Sequence, residues 1–155
     1  MRSFPNIASF VRHLATVPAA VHEAQRHGEE EQGAVLVQTA HDMIGMEMPK
    51  WAALAESTVA EKRREGFTGR VSGTDPLYRT GELRLSISYR IEGSSLLLGA
   101  TDPIAAYQEF GTDRIPPRPF IGATMFSRGH EAADRIALHM MSAFGGTRPA
   151  APRKS

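Results

Sequence analysis

The spacing of apolar and polar positions divides the chain into a helical first half, a short strand-forming middle and a helical end. Phe4, Ile7, Phe10, Val11 and Leu14 recur at three- and four-residue intervals, which predicts an amphipathic helix over residues 4–15. Pro18 suits the first turn of a second helix. The apolar positions of that helix run from Ala20, Val21 and Ala24 to Leu36, Ala40, Met43 and Ile44, ending near residue 45. Gly28 and Gly33 weaken its middle, and the EEE run at 29–31 reads as a solvated face. Beyond Pro49, the residues Trp51, Leu54, Thr58 and Lys62 set the stripe of a third helix that ends near Gly66. Residues 66–78, GFTGRVSGTDPLY, then predict a long loop, and loops of that length in small domains tend to be functional or mobile.

The period changes after residue 79. RTGELRLSIS opens as one helical turn, with Thr80 as N-cap and Glu82 in the first turn. Ile87, Tyr89 and Ile91 then alternate with Ser86, Ser88 and Arg90, a half-buried strand. Glu92-Gly93 supplies a turn and SSLLLGA a second strand, so the pair predicts a hairpin. IAAYQEFG fits either strand or helix. FIGATMF leads into a last helix over about residues 128–143, with the stripe Ala132, Ile136, Met140 and Ala143 and a stop at Gly145-Gly146. Helices, then strands, then a helix predict an α+β fold. Its small antiparallel sheet is the hairpin at about 85–100 plus one or two further strands, packed with the N-terminal helices and the C-terminal helix. We expect one domain over 1–146 and a disordered basic tail, TRPAAPRKS, over 147–155.

Composition removes several classes of chemistry. With no cysteine among 155 residues there is no disulfide, thiol nucleophile or thiolate metal site, and assembly in a reducing cytoplasm is expected. No apolar run reaches the roughly 20 residues that span a bilayer. The first 20 residues are broken by Asn6, Arg12 and His13, so they do not read as a secretory signal. A net charge of +1 gives the whole chain no electrostatic case for nucleic acid. Only the tail is locally basic, which leaves as an alternative a small binding or regulatory module whose tail contacts nucleic acid.

Catalytic motifs are missing. His22 and His27 stand five apart in HEAQRH, which separates them by roughly 140° on a helix, too far to share a metal. His13, His41, His130 and His139 show no ligand spacing, so no metal site is expected. There is no GxSxG, Walker loop or GxGxxG, and no cofactor or catalytic residue is assigned. Glu109 and Asp113 lie in the dense stretch YQEFGTDRIPPRPF at 107–120, yet no histidine is close in sequence to partner them.

That stretch reads better as shaped backbone. Gly111 permits positive φ or a close approach, and Pro116, Pro117 and Pro119 stiffen an extended arm. Tyr107, Phe110 and Phe120, with Trp51, are expected core anchors. Arg114 and Arg118 are expected to stay free for a neighbouring subunit. We therefore expect subunit contacts at Arg114, Ile115, Pro116, Pro117 and Arg118, and at Arg70 and Arg79 in and beside the glycine-rich loop.

The order L-x-R-T-G-x-L-x-x-S-I (from Leu77), L-x-x-G-A-T-D (from Leu96), A-x-Y-x-x-F-G-T (from Ala105) and P-x-R-P-F-I resembles the tailed-bacteriophage virion-morphogenesis family. Upstream, W-x-x-L-x-x-x-T-x-x-x-K from Trp51 resembles the same family, so the likeness covers residues 50–127. The resemblance implies a non-enzymatic structural protein of the neck, tail terminator or tail-completion class. It would assemble in the host bacterial cytoplasm as a homo-oligomeric ring, commonly hexameric, at the head–tail junction. Its implied partners are the connector or head-completion protein and the tail-tube protein. DNA would pass through its channel without sequence-specific binding, and the finished protein would reside in the virion.

Overall fold

The computed structural model describes residues 3–67, 69 and 75–145. Helix α1 (Ile7–Met43) runs unbroken for 37 residues, roughly 55 Å. Asn6 caps it reciprocally. Its side chain accepts from Ser9 N at 2.9 Å, while Ser9 Oγ accepts from Asn6 N at 3.4 Å. The expected break at Pro18 does not occur. Proline removes the bond to the Leu14 carbonyl, but no residue of 3–27 is fully buried, so water can serve that carbonyl.

The glycines that weaken α1 locally are sites of close packing. A Cβ on Gly28 would stand 3.2 Å from Ile136 Cα, and one on Gly33 would stand 2.5–2.7 Å from the ring of Tyr89. Gly28 thus lets α5 (Ile121–Gly145) approach along α1, and Gly33 lets the hairpin lie on it. The EEE run is not a solvated face. Glu29 is buried and accepts from Gln25 Nε2 at 2.7 Å, Glu31 is half-buried, and only Glu30 is exposed, paired with Arg26 at 3.3 Å. Its neighbours decide this: the expected solvated side of α1 is the side α5 covers.

Helix α2 (Glu56–Arg64) starts five residues after Trp51. Helix α3 (Glu82–Ser86) is the expected single turn, but its N-cap is Gly81 at φ 91° and not Thr80, whose Oγ1 accepts from Glu82 N at 3.4 Å. Strands β1 (Ile87–Glu92) and β2 (Ser95–Ala100) pair antiparallel, from Ile87 opposite Ala100 to Glu92 opposite Ser95. Gly93, at φ 61°, turns the chain between them. Among the described residues the sheet has these two strands and no more; the further strands expected are absent because IAAYQEF forms helix α4 (Ile104–Phe110). The fold is α+β.

Ile87 of β1 is buried and Tyr89 and Ile91 half-buried, as the alternation predicts. The core joins Ala40 of α1, Ile44 just past its end, Leu83, Ile87, Ala105 and Phe120, with Trp51, Tyr78 and Leu98 packed at its edge. Along α5 the stripe Ala132, Ile136, Met140 and Ala143 turns inward as predicted. No described helix is long and apolar enough to cross a membrane.

Candidate functional site

Helix α5 begins seven residues before the expected start of 128, and its first turn shows why. The carboxylate of Glu109, at the end of α4, accepts from the backbone N–H groups of Phe120 (2.9 Å), Ile121 (3.0 Å) and Gly122 (2.6 Å). These are orphan donors of a helix N-terminus, and a negative charge there also meets the positive end of the helix dipole. The cap comes from 11 residues upstream, beyond any local capping pattern. A Cβ on Gly122 would meet Glu109 Oε1 at 2.8 Å, so glycine is what admits the carboxylate. Both oxygens are committed to the backbone, which takes Glu109 away from acid/base chemistry. We expect Glu109→Gln to cost about 1 kcal/mol and Glu109→Ala about 2 kcal/mol in urea unfolding. A loss below a few tenths for both would remove the capping role.

The expected extended arm folds back on α4. Thr112 N donates to the Ile115 carbonyl at 2.8 Å and Ile115 N to the Thr112 carbonyl at 3.3 Å, closing a turn. Gly111 holds φ 75° with a Cβ position only 2.9 Å from the Ile115 carbonyl, so both reasons for glycine there apply. Arg118 N then donates to the Gln108 carbonyl at 2.6 Å. Residues 111–120 carry no helix or strand, and the proline run follows the turn.

The two arginines of the arm part company. Arg118 is 5% exposed, and its Nη2 donates to the carbonyls of Ala52 (2.9 Å) and Ala53 (3.3 Å). It is therefore internal, not a subunit contact, because the chain entering α2 passes over it with unpaired carbonyls. Burial pulls its guanidinium below the usual arginine range. Arg114 is exposed and forms no ion pair with another described residue. Arg79 is exposed but occupied, holding Glu61 at 2.6 Å and Glu65 at 2.8 Å and lying 5.1 Å from the Phe67 ring centre. Ile115 is half-buried, Pro116 and Pro117 are exposed, and Arg70 lies outside the described residues, as does the tail.

The aromatic anchors divide as well. Phe120 is fully buried and Trp51 packs against the core edge. Phe110 is 81% exposed and Tyr107 54% exposed, so neither is a core anchor of the single chain. Helix α4 buries Ala105 instead, which turns Ile104, Tyr107 and Phe110 outward.

These pieces surround one groove of about 700 Å³. Leu54, Thr58 and Lys62 line it from the α2 side, Leu77 to Leu83 from α3 and the turn before it, Ile104 and Tyr107 from α4, and Arg114 to Pro116 and Arg118 from the arm. Lys62 sits at its base, buried, donating to the carbonyls of Asp75 (2.5 Å) and Tyr78 (2.7 Å). Burial holds its ammonium below the ordinary lysine range, against the partly compensating attraction of Asp75. Arg118 Nε and Gln108 Oε1 are buried without a hydrogen-bond partner among the described residues. The groove thus offers an apolar wall, a cationic base and a charged rim of Glu61, Arg79, Glu82, Asp102 and Arg114. That combination suits a protein segment with both apolar and charged side chains.

No protein-family model, no curated protein and no solved structure matches the chain.

Proposed function

We propose that the chain is a structural subunit of a tailed bacteriophage or phage-like particle, assembling into a ring at the head–tail junction or the top of the tail. The observation that carries this reading is the convergence at the groove. Three segments of the phage-like pattern, around 54–62, 77–83 and 107–118, line the same cleft although they are far apart in sequence. At the groove Lys62 and Arg118 Nη2 donate to backbone carbonyls, and Glu109 accepts from the start of α5. Arg114 and the outward face of α4 stand exposed beside it.

A ring needs two different complementary surfaces on each copy, because its contacts are heterologous. The groove is one. The uncovered apolar stripe of Ile7, Phe10, Val11 and Leu14 at the start of α1 is a second. Amphipathic helices commonly lay such a stripe into a groove of the next molecule. Ring partners in this reading are the connector and the tail tube.

Light scattering on size-separated protein, alone and with its connector or tail partner, tests the assembly. The wild type should form a discrete multimer in at least one of these conditions. Arg114→Glu should shift the multimer toward monomer by at least ten-fold in dissociation constant, with circular dichroism near wild type. A monomer under every condition ends the ring reading, and an Arg114→Glu variant that loses its fold makes Arg114 structural.

A further inference from the structure

The pairing of α1 with α5 assembles a group of side chains that sequence spacing conceals. His27 and Glu31 stand one turn apart on α1, and His139 comes from α5, 112 positions away from His27. One ligand-type atom from each of the three lies within 4.8 Å of the others. His139 Nε2 is 3.2 Å from Glu31 Oε2, and the rings of His27 and His139 are 5.3 Å apart and nearly perpendicular.

We propose that His27, Glu31 and His139 form a binding site for a divalent transition-metal ion, zinc foremost, that clamps α1 to α5. The donor set decides the class. Two imidazole nitrogens and one carboxylate oxygen favour zinc and its neighbours over magnesium or calcium, which prefer all-oxygen sets. Geometry agrees. Ligands about 2.0–2.2 Å from a tetrahedral zinc stand roughly 3.3–3.6 Å from one another. The Glu31–His139 edge, at 3.2 Å, is close to that length, and since no edge exceeds 4.8 Å none needs to close by more than roughly 1.5 Å. His27 is exposed and able to turn inward, while Glu31 and His139 are half-buried and held in place.

The backbone is fixed at this point by an independent feature. Gly28, next to His27, is buried, and a Cβ there would press on His139 Cβ and Cδ2 at 3.3 Å. The helices therefore approach closely where the three ligands meet. A bound ion has three protein ligands and keeps a further position for water, and it ties residues 27–31 to residue 139 by coordinate bonds. None of this rests on the assembly reading.

The test uses the untagged full chain, stripped with chelator, in calorimetric titration and thermal melts with zinc chloride or magnesium chloride. One zinc per chain should bind and raise Tm, because an ion that binds only the folded state stabilises it. Magnesium should do neither. His27→Ala and His139→Ala should each weaken zinc binding at least ten-fold, and His22→Ala, five residues away on another face of α1, should bind as wild type. Cobalt should give a visible absorption band that His27→Ala abolishes. No zinc-dependent heat or Tm shift in the wild type overturns the proposal. So does wild-type binding by His27→Ala, an exposed position whose substitution leaves the fold intact.

Discussion

Phe120→Ala is expected to cost about 3–5 kcal/mol, a large part of the 5–15 kcal/mol that holds a typical domain folded. Phe120 is fully buried against Ala40, Ile44, Leu83, Ile87 and Ala105, residues drawn from α1 and its end, α3, β1 and α4. Truncation removes the ring's transfer free energy and leaves a cavity that four separate elements would have to collapse to fill. The position has a second cost. Its N–H is one of the donors held by Glu109, so a shift of residue 120 also loosens the start of α5. Urea unfolding should show a lower midpoint with an unchanged slope. A cost under 1 kcal/mol would mean that the core does not centre on this ring. Phe110→Ala, ten residues earlier and exposed, should change stability by no more than about 0.5 kcal/mol.

Arg118→Ala should cost about 2–4 kcal/mol, since it strands the Ala52 and Ala53 carbonyls and releases the chain entering α2. Part of the loss is offset because Lys62, which feels the positive charge of Arg118, is relieved of it. Arg118→Lys should recover less than half of the loss, as a lysine is a point donor without the planar fork that spans two carbonyls. Denaturant melts of both variants decide the matter. If Arg118→Ala melts like wild type and instead loses multimers, Arg118 belongs to the subunit boundary after all. The contrast with Arg114→Glu is the sharper result: four residues apart on one arm, one arginine should govern folding and the other association.

Those two arginines also show where sequence reading stops. Both belong to the same arm, and neither periodicity nor composition separates them. What separates them is the passage of residues 52 and 53 over position 118, a contact across 66 residues. The same holds for Phe110 and Phe120, of which only the second meets α1. Local pattern was sufficient where one face of an element decides burial. The alternation of Ile87, Tyr89 and Ile91 and the stripe of Ala132, Ile136, Met140 and Ala143 both turned inward as read. It failed where the partner is remote. Glu109 caps a helix it does not belong to, Gly28 and Gly33 are set by α5 and Tyr89, and His27 meets His139 only after the helices pair. Pro18 misled for the opposite reason: a helix exposed to water tolerates a missing bond that a buried one would not.

Within the candidate site, the residue types were legible and their roles were less so. Gly111 stood out as a backbone requirement, while the burial of Lys62 did not. That Arg79 is already paired with Glu61 and Glu65, and that Tyr107 faces outward, needed the fold. Under the proposed assembly, the surface open to a neighbour is narrower than the whole arm and comprises Arg114, Pro116 and the outward side chains of α4 beside the groove.

The proposal that the chain joins or completes a phage tail is decided by electron microscopy of particles made without it. Deleting its gene from the producing phage or prophage should yield filled heads and tails that are separate or unfinished, restored to joined particles by the wild-type chain and poorly by Arg114→Glu. Intact, joined tails in the deletion would refute a role in the tail.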